Sequence, residues 1–190
     1  MSKLVIVGTC AFDAIETPFG KTDKILGGAA TYIGLSAAQF KDVDPAIVSI
    51  VGEDFPEAYI DLLTQRNINV EGLEIVKGGK TFFWSGKYHN DMNTRDTLVT
   101  ELNTLEHFAP KVPEDYRDAA IVMLGNLQPS VQLSVIQQMT EKPKLVILDT
   151  MNFWMDIALD ELKQTLKHID VITINDEEAR QLSGEYSLVT

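Results

Sequence analysis

Cysteine and histidine are nearly absent: one Cys, Cys10, and three well-separated His, His89, His107 and His168, in 190 residues. That excludes a disulfide framework and a zinc site built on thiolates. Cys10 lies in the apolar run VIVGTCAF, which points to a small buried residue rather than a nucleophile. Basic residues are also few. Sixteen Lys and Arg stand against 28 Asp and Glu, a net charge of −12. Such a surface repels a polyphosphate backbone, and no local basic stripe offsets it, so nucleic acid is not an expected partner. No apolar run approaches the roughly 20 residues that span a bilayer, so no membrane partner is expected. The start, MSKLVIVG, runs straight into a strand pattern instead of a secretory leader, and the expected compartment is the cytoplasm.

Two nucleotide fingerprints are missing as well. No G-x-G-x-x-G follows the first strand pattern, which disfavours a dinucleotide fold. GKT occurs at Gly20–Thr22 and Gly79–Thr81, but a phosphate loop needs a glycine five positions earlier and a helix afterwards. Ile15 and Glu74 occupy those earlier positions and strand patterns follow, so both read as turns.

What is present is an alternation. KLVIVG (3–8), AIVSIVG (46–52), AAIVMLG (119–125), KLVILD (144–149) and DVITIN (170–175) are continuous apolar runs of the kind buried on both faces of a sheet. Helical patterns lie at 29–40, 55–66, 129–140, 156–168 and 176–183. Alternating β and α elements predict an α/β fold with a parallel central sheet and right-handed crossovers. Residues 13–26 and 73–105 break the rhythm and predict four strands of a small second sheet, a flap over the strand ends. The division expected is a core of 1–12, 27–72 and 106–190, with a β-lid of 13–26 and 73–105.

Several polar residues fall where such a sheet binds ligands, beyond the carboxyl ends of its strands. Asp13 follows the first strand, as a binding acceptor or a solvated loop aspartate. Gly27 and Gly28 precede a helix of small residues; glycine lets a ligand approach the backbone, although a tight turn packing helix on sheet leaves the same pattern. Asp54 and Pro56 read as a helix start. Asp149 ends an apolar strand with Asn152 just beyond, and Asn126 follows another strand. Asn175 and Glu178, three apart, fit a capping box or a carboxylate that orders water around Mg²⁺. Phe82, Trp84 and Tyr88 alternate along the second lid segment, as flap core or as a stacking surface.

Together VGTCAFD, GGAATYIGLSAAQF, SIVGEDF, LDTMN and TINDEEA resemble the ribokinase-like (PfkB) family of carbohydrate and nucleoside kinases, in order and from Met1 to about Thr190. The resemblance implies a three-layer ribokinase-like fold with a β-lid, and ATP-dependent phosphorylation of a sugar or nucleoside hydroxyl. It implies substrate contacts at Asp13, Gly27 and Gly28, and a phosphate and magnesium region at Asp149, Asn152, Asn175 and Glu178. ATP and Mg²⁺ are the implied cofactors, and a homodimer through the lid is an implied assembly. Tyr32, where the family often has asparagine, joins Trp84 and Asn126 as candidates for substrate choice. Phe153 or Trp154 stands where an arginine is common. The family's G-A-G-D loop, source of the general base, occurs nowhere in these residues. The expectation is therefore an N-terminal portion that is catalytically silent alone, with a non-catalytic sugar-binding module as the alternative.

Overall fold

The computed structural model describes residues 1–92 and 94–187. Strand β1 (Ser2–Val7) shows why the apolar runs are continuous. Val5 and Val7 face one hydrophobic cluster, while Leu4 and Ile6 face the other. Burial of both faces removes the polar alternation of a half-exposed strand. Each fully buried aliphatic side chain contributes about 1.5–3 kcal/mol.

The chain continues through β2 (Ala11–Thr17), β3 (Gly20–Gly27), α1 (Ala29–Ala37), β4 (Val43–Gly52), α2 (Glu57–Gln65) and β5 (Asn69–Val76). Then come β6 (Phe83–Tyr88), β7 (Arg95–Glu101), β8 (Ile121–Leu124), α3 (Pro129–Gln138) and β9 (Leu145–Asp149). The described chain closes with α4 (Asn152–Ile157), α5 (Leu159–Leu166), β10 (Val171–Thr173) and α6 (Asp176–Ser183). The main sheet has six strands in the order β10-β9-β8-β1-β4-β5, every neighbouring pair parallel. One face packs residues of α1 and α2, such as Ala30 and Leu63; the other packs α3 and α5 through Val135 and Leu162. The expected α/β class and three layers are what forms.

The second sheet has four strands in the order β3-β2-β6-β7. β2 starts where β1 ends, and β6 follows β5 after a short loop, so the small sheet stands at the carboxyl ends of the main strands. Lys24 helps to tie it down, with its ammonium 4.3 Å from the Phe12 ring centre and 3.6 Å from the Asp54 carboxylate.

Three expectations need correction. Residues 73–76 do not belong to the small sheet: they complete β5, the sixth main strand, and the second lid segment begins at Phe83. The helix expected at 156–168 is two helices, broken at Ala158, whose φ of −140° and ψ of 33° are not helical. Asp54 does not cap α2. The N-cap is Pro56, without a side-chain bond, and Asp54 Oδ1 instead accepts from the Thr81 N–H and hydroxyl, both at 2.7 Å.

Candidate functional site

The glycine pair meets the chain's own polar groups. A methyl group added at Gly27 would coincide with the Asp13 carboxylate, and one at Gly28 would strike the Thr9 carbonyl. Gly28 also has φ +96°, a conformation costly to side chains, and it is the N-cap of α1. Ala29 N–H donates to Thr9 Oγ1 at 3.1 Å and Ala30 N–H to the Thr9 carbonyl at 3.0 Å, so the loop after β1 occupies the first amides of α1. The carboxylate of Asp13 is thus seated directly on glycine backbone. Burial pushes its pKa up, opposed by the Gly28 N–H. No cation pairs with it among the described residues.

Asp13 lies on β2, in the small sheet, opposite Trp84 of β6 in a parallel ladder, so the two share a face. The Trp84 ring lies across Gly86, where an added Cβ would strike it, and its Nε1 donates to Thr97 Oγ1 at 3.3 Å. Tyr32 is exposed on the first turn of α1, its hydroxyl bonded to the Leu26 carbonyl at 3.1 Å.

A second group assembles at the ends of β8, β9 and β10. A cleft of about 420 Å³ is lined by Asn126, Asp149, Thr150, Asn175 and Glu178, with Arg95 from the small sheet among them. Asp149 is pushed up to about 6, first by burial and then by the negative charge of Glu178; the N–H groups of Asn126 and Thr150 act against the shift. Asn175 and Glu178 form a reciprocal capping box on α6, with both bonds 2.9 Å. One Glu178 oxygen is therefore engaged by backbone, while its charge still acts on Asp149. Asn152 lies apart from this lining, with its Nδ2 donating to Gln181 Oε1 at 2.5 Å.

Three residues of this region, Arg95, Thr150 and Gln132, escaped the sequence reading, and Trp154 entered it only as the residue at an arginine position. Arg95 and Thr150 line the cleft. Trp154 Nε1 donates to Asn126 Oδ1 at 2.9 Å. Gln132, fully buried, donates to the carbonyls of Gly125 and Asp149, both at 2.9 Å, and so clamps the ends of β8 and β9 together. The position of Gln132 one turn into a helix that follows a strand was the only available hint.

A parallel sheet bearing a β-sheet cover and a polar cleft at its carboxyl ends defines an α/β protein of the ribokinase fold. The chain belongs to the pfkB family carbohydrate kinases, whose model matches residues 1–188. A cytidine kinase of Thermococcus kodakarensis is 26% identical over 188 residues, a match covering 97% of this chain and 65% of that protein. The nucleoside kinase of Methanocaldococcus jannaschii superposes with a TM-score of 0.74 at 21% identity, over 97% of this chain and 64% of that one. The nucleoside kinase of Burkholderia thailandensis in complex with inosine gives 0.76 at 14% identity, with the same coverage of 97% and 64%. The chain therefore spans slightly less than two thirds of these proteins. Among the described residues, no helix is long and apolar enough to cross a membrane.

Proposed function

We propose that this chain forms the acceptor pocket and lid of an ATP-dependent kinase acting on a hydroxyl of a nucleoside, with a free sugar as the second reading. One observation carries it: Asp13, partly desolvated and without a cationic partner among the described residues, is held against bare glycine backbone. A carboxylate is an acceptor with about four lone-pair sites, and here the Gly28 N–H is its neighbour, so ligand hydroxyls have acceptor capacity to use. Trp84, on the same face, offers a flat apolar platform beside it. A ribose on Asp13 with its base against Trp84 uses both. A free sugar uses only the first. The cytidine kinase among the relatives supports the nucleoside reading.

The cleft suits a partly hydrated Mg²⁺. Mg²⁺ is usually held through one or two carboxylates while it keeps several waters, and Asp149 and Glu178 sit close enough for their charges to interact. We assign those two to the ion's surroundings, with Asn175 beside them and Asn152 outside the lining. When bound, the ion offsets charge on a transferring phosphoryl group. Asp13 orients the acceptor and the small sheet excludes water from it.

The test is calorimetric titration with cytidine, inosine and ribose. Nucleosides are expected to bind at least tenfold more tightly than ribose, a difference that shrinks in Trp84→Leu, and Asp13→Asn is expected to weaken all three. Equal or tighter ribose binding selects the sugar reading. Undiminished binding in Asp13→Asn removes the kinase pocket altogether.

A further inference from the structure

The ladder between β2 and β3 contains an irregularity that decides what stands beside Asp13. Their hairpin closes with a two-residue loop, Pro18 and Phe19, which sets Thr17 opposite Gly20, Glu16 opposite Lys21 and Ile15 opposite Thr22. Continued in that register, the ladder would bring Lys24 directly opposite Asp13, on the same face. The register shifts by one before that point. Asp13 stands opposite Ile25 instead, Phe12 opposite Leu26 and Ala11 opposite Gly27. Asp23 and Lys24 together face Ala14, so β3 carries one extra residue, a β-bulge.

The bulge is strained at Lys24, whose φ of +47° lies in the left-handed region that side chains avoid. Glycine is the usual residue in such a bulge. Lysine persists here because its side chain is held at two points. Its ammonium lies 4.3 Å from the centre of the Phe12 ring and 3.6 Å from Asp54 Oδ2. Phe12 is buried and packs on Phe55 and Tyr59, with ring centres 5.8 and 6.5 Å away. Asp54 is fixed in turn by the Thr81 N–H and hydroxyl, which both donate to its other oxygen at 2.7 Å. Phe12 and Asp13 point to opposite faces of β2, so Lys24 is kept on the face away from the Asp13 carboxylate. The residues left opposite Asp13, Ile25 on β3 and Trp84 on β6, are uncharged. The same shift brings Gly27, two residues beyond Ile25, under the carboxylate, where an added Cβ would coincide with it.

We propose that Lys24 is a positioning residue for the acceptor site: held by Phe12 and Asp54, it fixes the bulge that gives Asp13 an isoleucine and a glycine for neighbours instead of an ammonium. The inference rests on the reading of Asp13 as the acceptor of ligand hydroxyls. In the unshifted register the Lys24 ammonium would occupy the lone pairs of the carboxylate, and Leu26 would take the place of Gly27 opposite Ala11. Ligand hydroxyls would then meet a closed ion pair. A one-residue slip carries each side chain of the strand to the other face, so the two registers are discrete alternatives. The contacts that choose between them are individually modest, because Lys24 and Asp54 are 56% and 33% exposed. Loss of one contact therefore shifts the balance of registers without unfolding the sheet.

Register is read in the ligand-free chain by nuclear Overhauser contacts across the ladder and by the carboxyl ¹³C titration of Asp13, and binding by calorimetry with cytidine and ribose. Asp54→Asn keeps an oxygen for Thr81 and loses the charge that holds Lys24. It is expected to weaken the contacts between Asp13 and Ile25 and to bring up contacts between Asp13 and Lys24. The pKa of Asp13, raised by burial in the wild type, should fall as the ammonium arrives, and both ligands should bind about three- to tenfold more weakly. Adding Lys24→Gly to Asp54→Asn removes the ammonium and accepts the positive φ. That double variant is expected to regain the Asp13–Ile25 contacts, the raised pKa and binding within about twofold of wild type. Unchanged contacts and titration in Asp54→Asn overturn the proposal. So does a double variant as impaired as Asp54→Asn, because a merely loosened sheet is not rescued by removing a lysine. A register change in a protein whose wild type binds neither ligand rejects the kinase pocket and leaves the hold of Lys24 on the register standing. An unchanged register in a protein that binds both ligands, and loses them in Asp13→Asn, rejects the role of Lys24 alone.

Discussion

Replacing Asp149 by asparagine is expected to stabilise the metal-free protein above neutral pH and to leave it unchanged in acid. The carboxyl is raised from 3.8 to about 6, by burial and then by the charge of Glu178. A shift of about two units at 1.36 kcal/mol each sets an upper bound near 3 kcal/mol, and partial exposure of the side chain reduces this to about 1–2 kcal/mol. The sign follows from linkage. A carboxyl whose folded pKa lies above its unfolded value favours the fold when protonated; that contribution is complete below about pH 3.8 and lost as pH rises through about 6. Above that, the ionised group is a standing cost. Asparagine resembles the neutral acid, and its Oδ1 can still face the N–H groups of Asn126 and Thr150. The stability difference between variant and wild type should therefore be near zero around pH 4, grow through pH 6 and level off above 7. Urea denaturation in EDTA reads it directly. With m near 2 kcal/mol/M for a chain of this size, the midpoint should rise by about 0.5–1 M at pH 8. Burial raises Asp13 too, but both proteins carry that residue, so its contribution cancels in the difference. A variant that is less stable at pH 8, or a difference that does not vary with pH, would refute the assignment of desolvation as the dominant cause.

Gly27→Ala should cost about 1–3 kcal/mol in urea denaturation and abolish ligand binding, because the new methyl coincides with the Asp13 carboxylate. Gly20→Ala, where an added Cβ meets nothing within 4 Å, is the matched control and should change stability by less than about 0.5 kcal/mol. Gln132→Leu should cost about 2–3 kcal/mol by leaving the carbonyls of Gly125 and Asp149 without their donor. Hydrogen exchange at residues 125–127 and 149–151 should rise in that variant; unchanged exchange in both loops would argue against the clamp.

The legible part of the fold was the part governed by local pattern. Five of the six main strands could be read from sequence because they are apolar runs, the central ones packed on both faces, while β10 is an exposed edge strand legible from its residue types alone. β5 could not. It is an edge strand with one partner, it carries Glu71 and Glu74, and its polar positions match those of a loop. The break at Ala158 was hidden for a related reason: the apolar period runs through it, and only the backbone angles reveal two helices. At the site, spacing disclosed the capping box of Asn175 and Glu178, since both partners lie within one turn. The glycine pair could be recognised as a place of close approach, but not what approaches it. Asp13 reaches Gly27 across the β2–β3 ladder, a contact set by strand register rather than by any run of residues.

The same distinction explains why the contacts of Asn126 and Arg95 around the cleft are written nowhere in the motifs. Trp154 and Asn126 stand 28 positions apart and meet because the strands before them, β8 and β9, pair side by side in the main sheet. Arg95 reaches the cleft from a different sheet altogether. A motif records side chains that one stretch of backbone can hold in place. Arg95 lies in a segment far in sequence from the loops after β8 and β9, and so no local spacing can announce it.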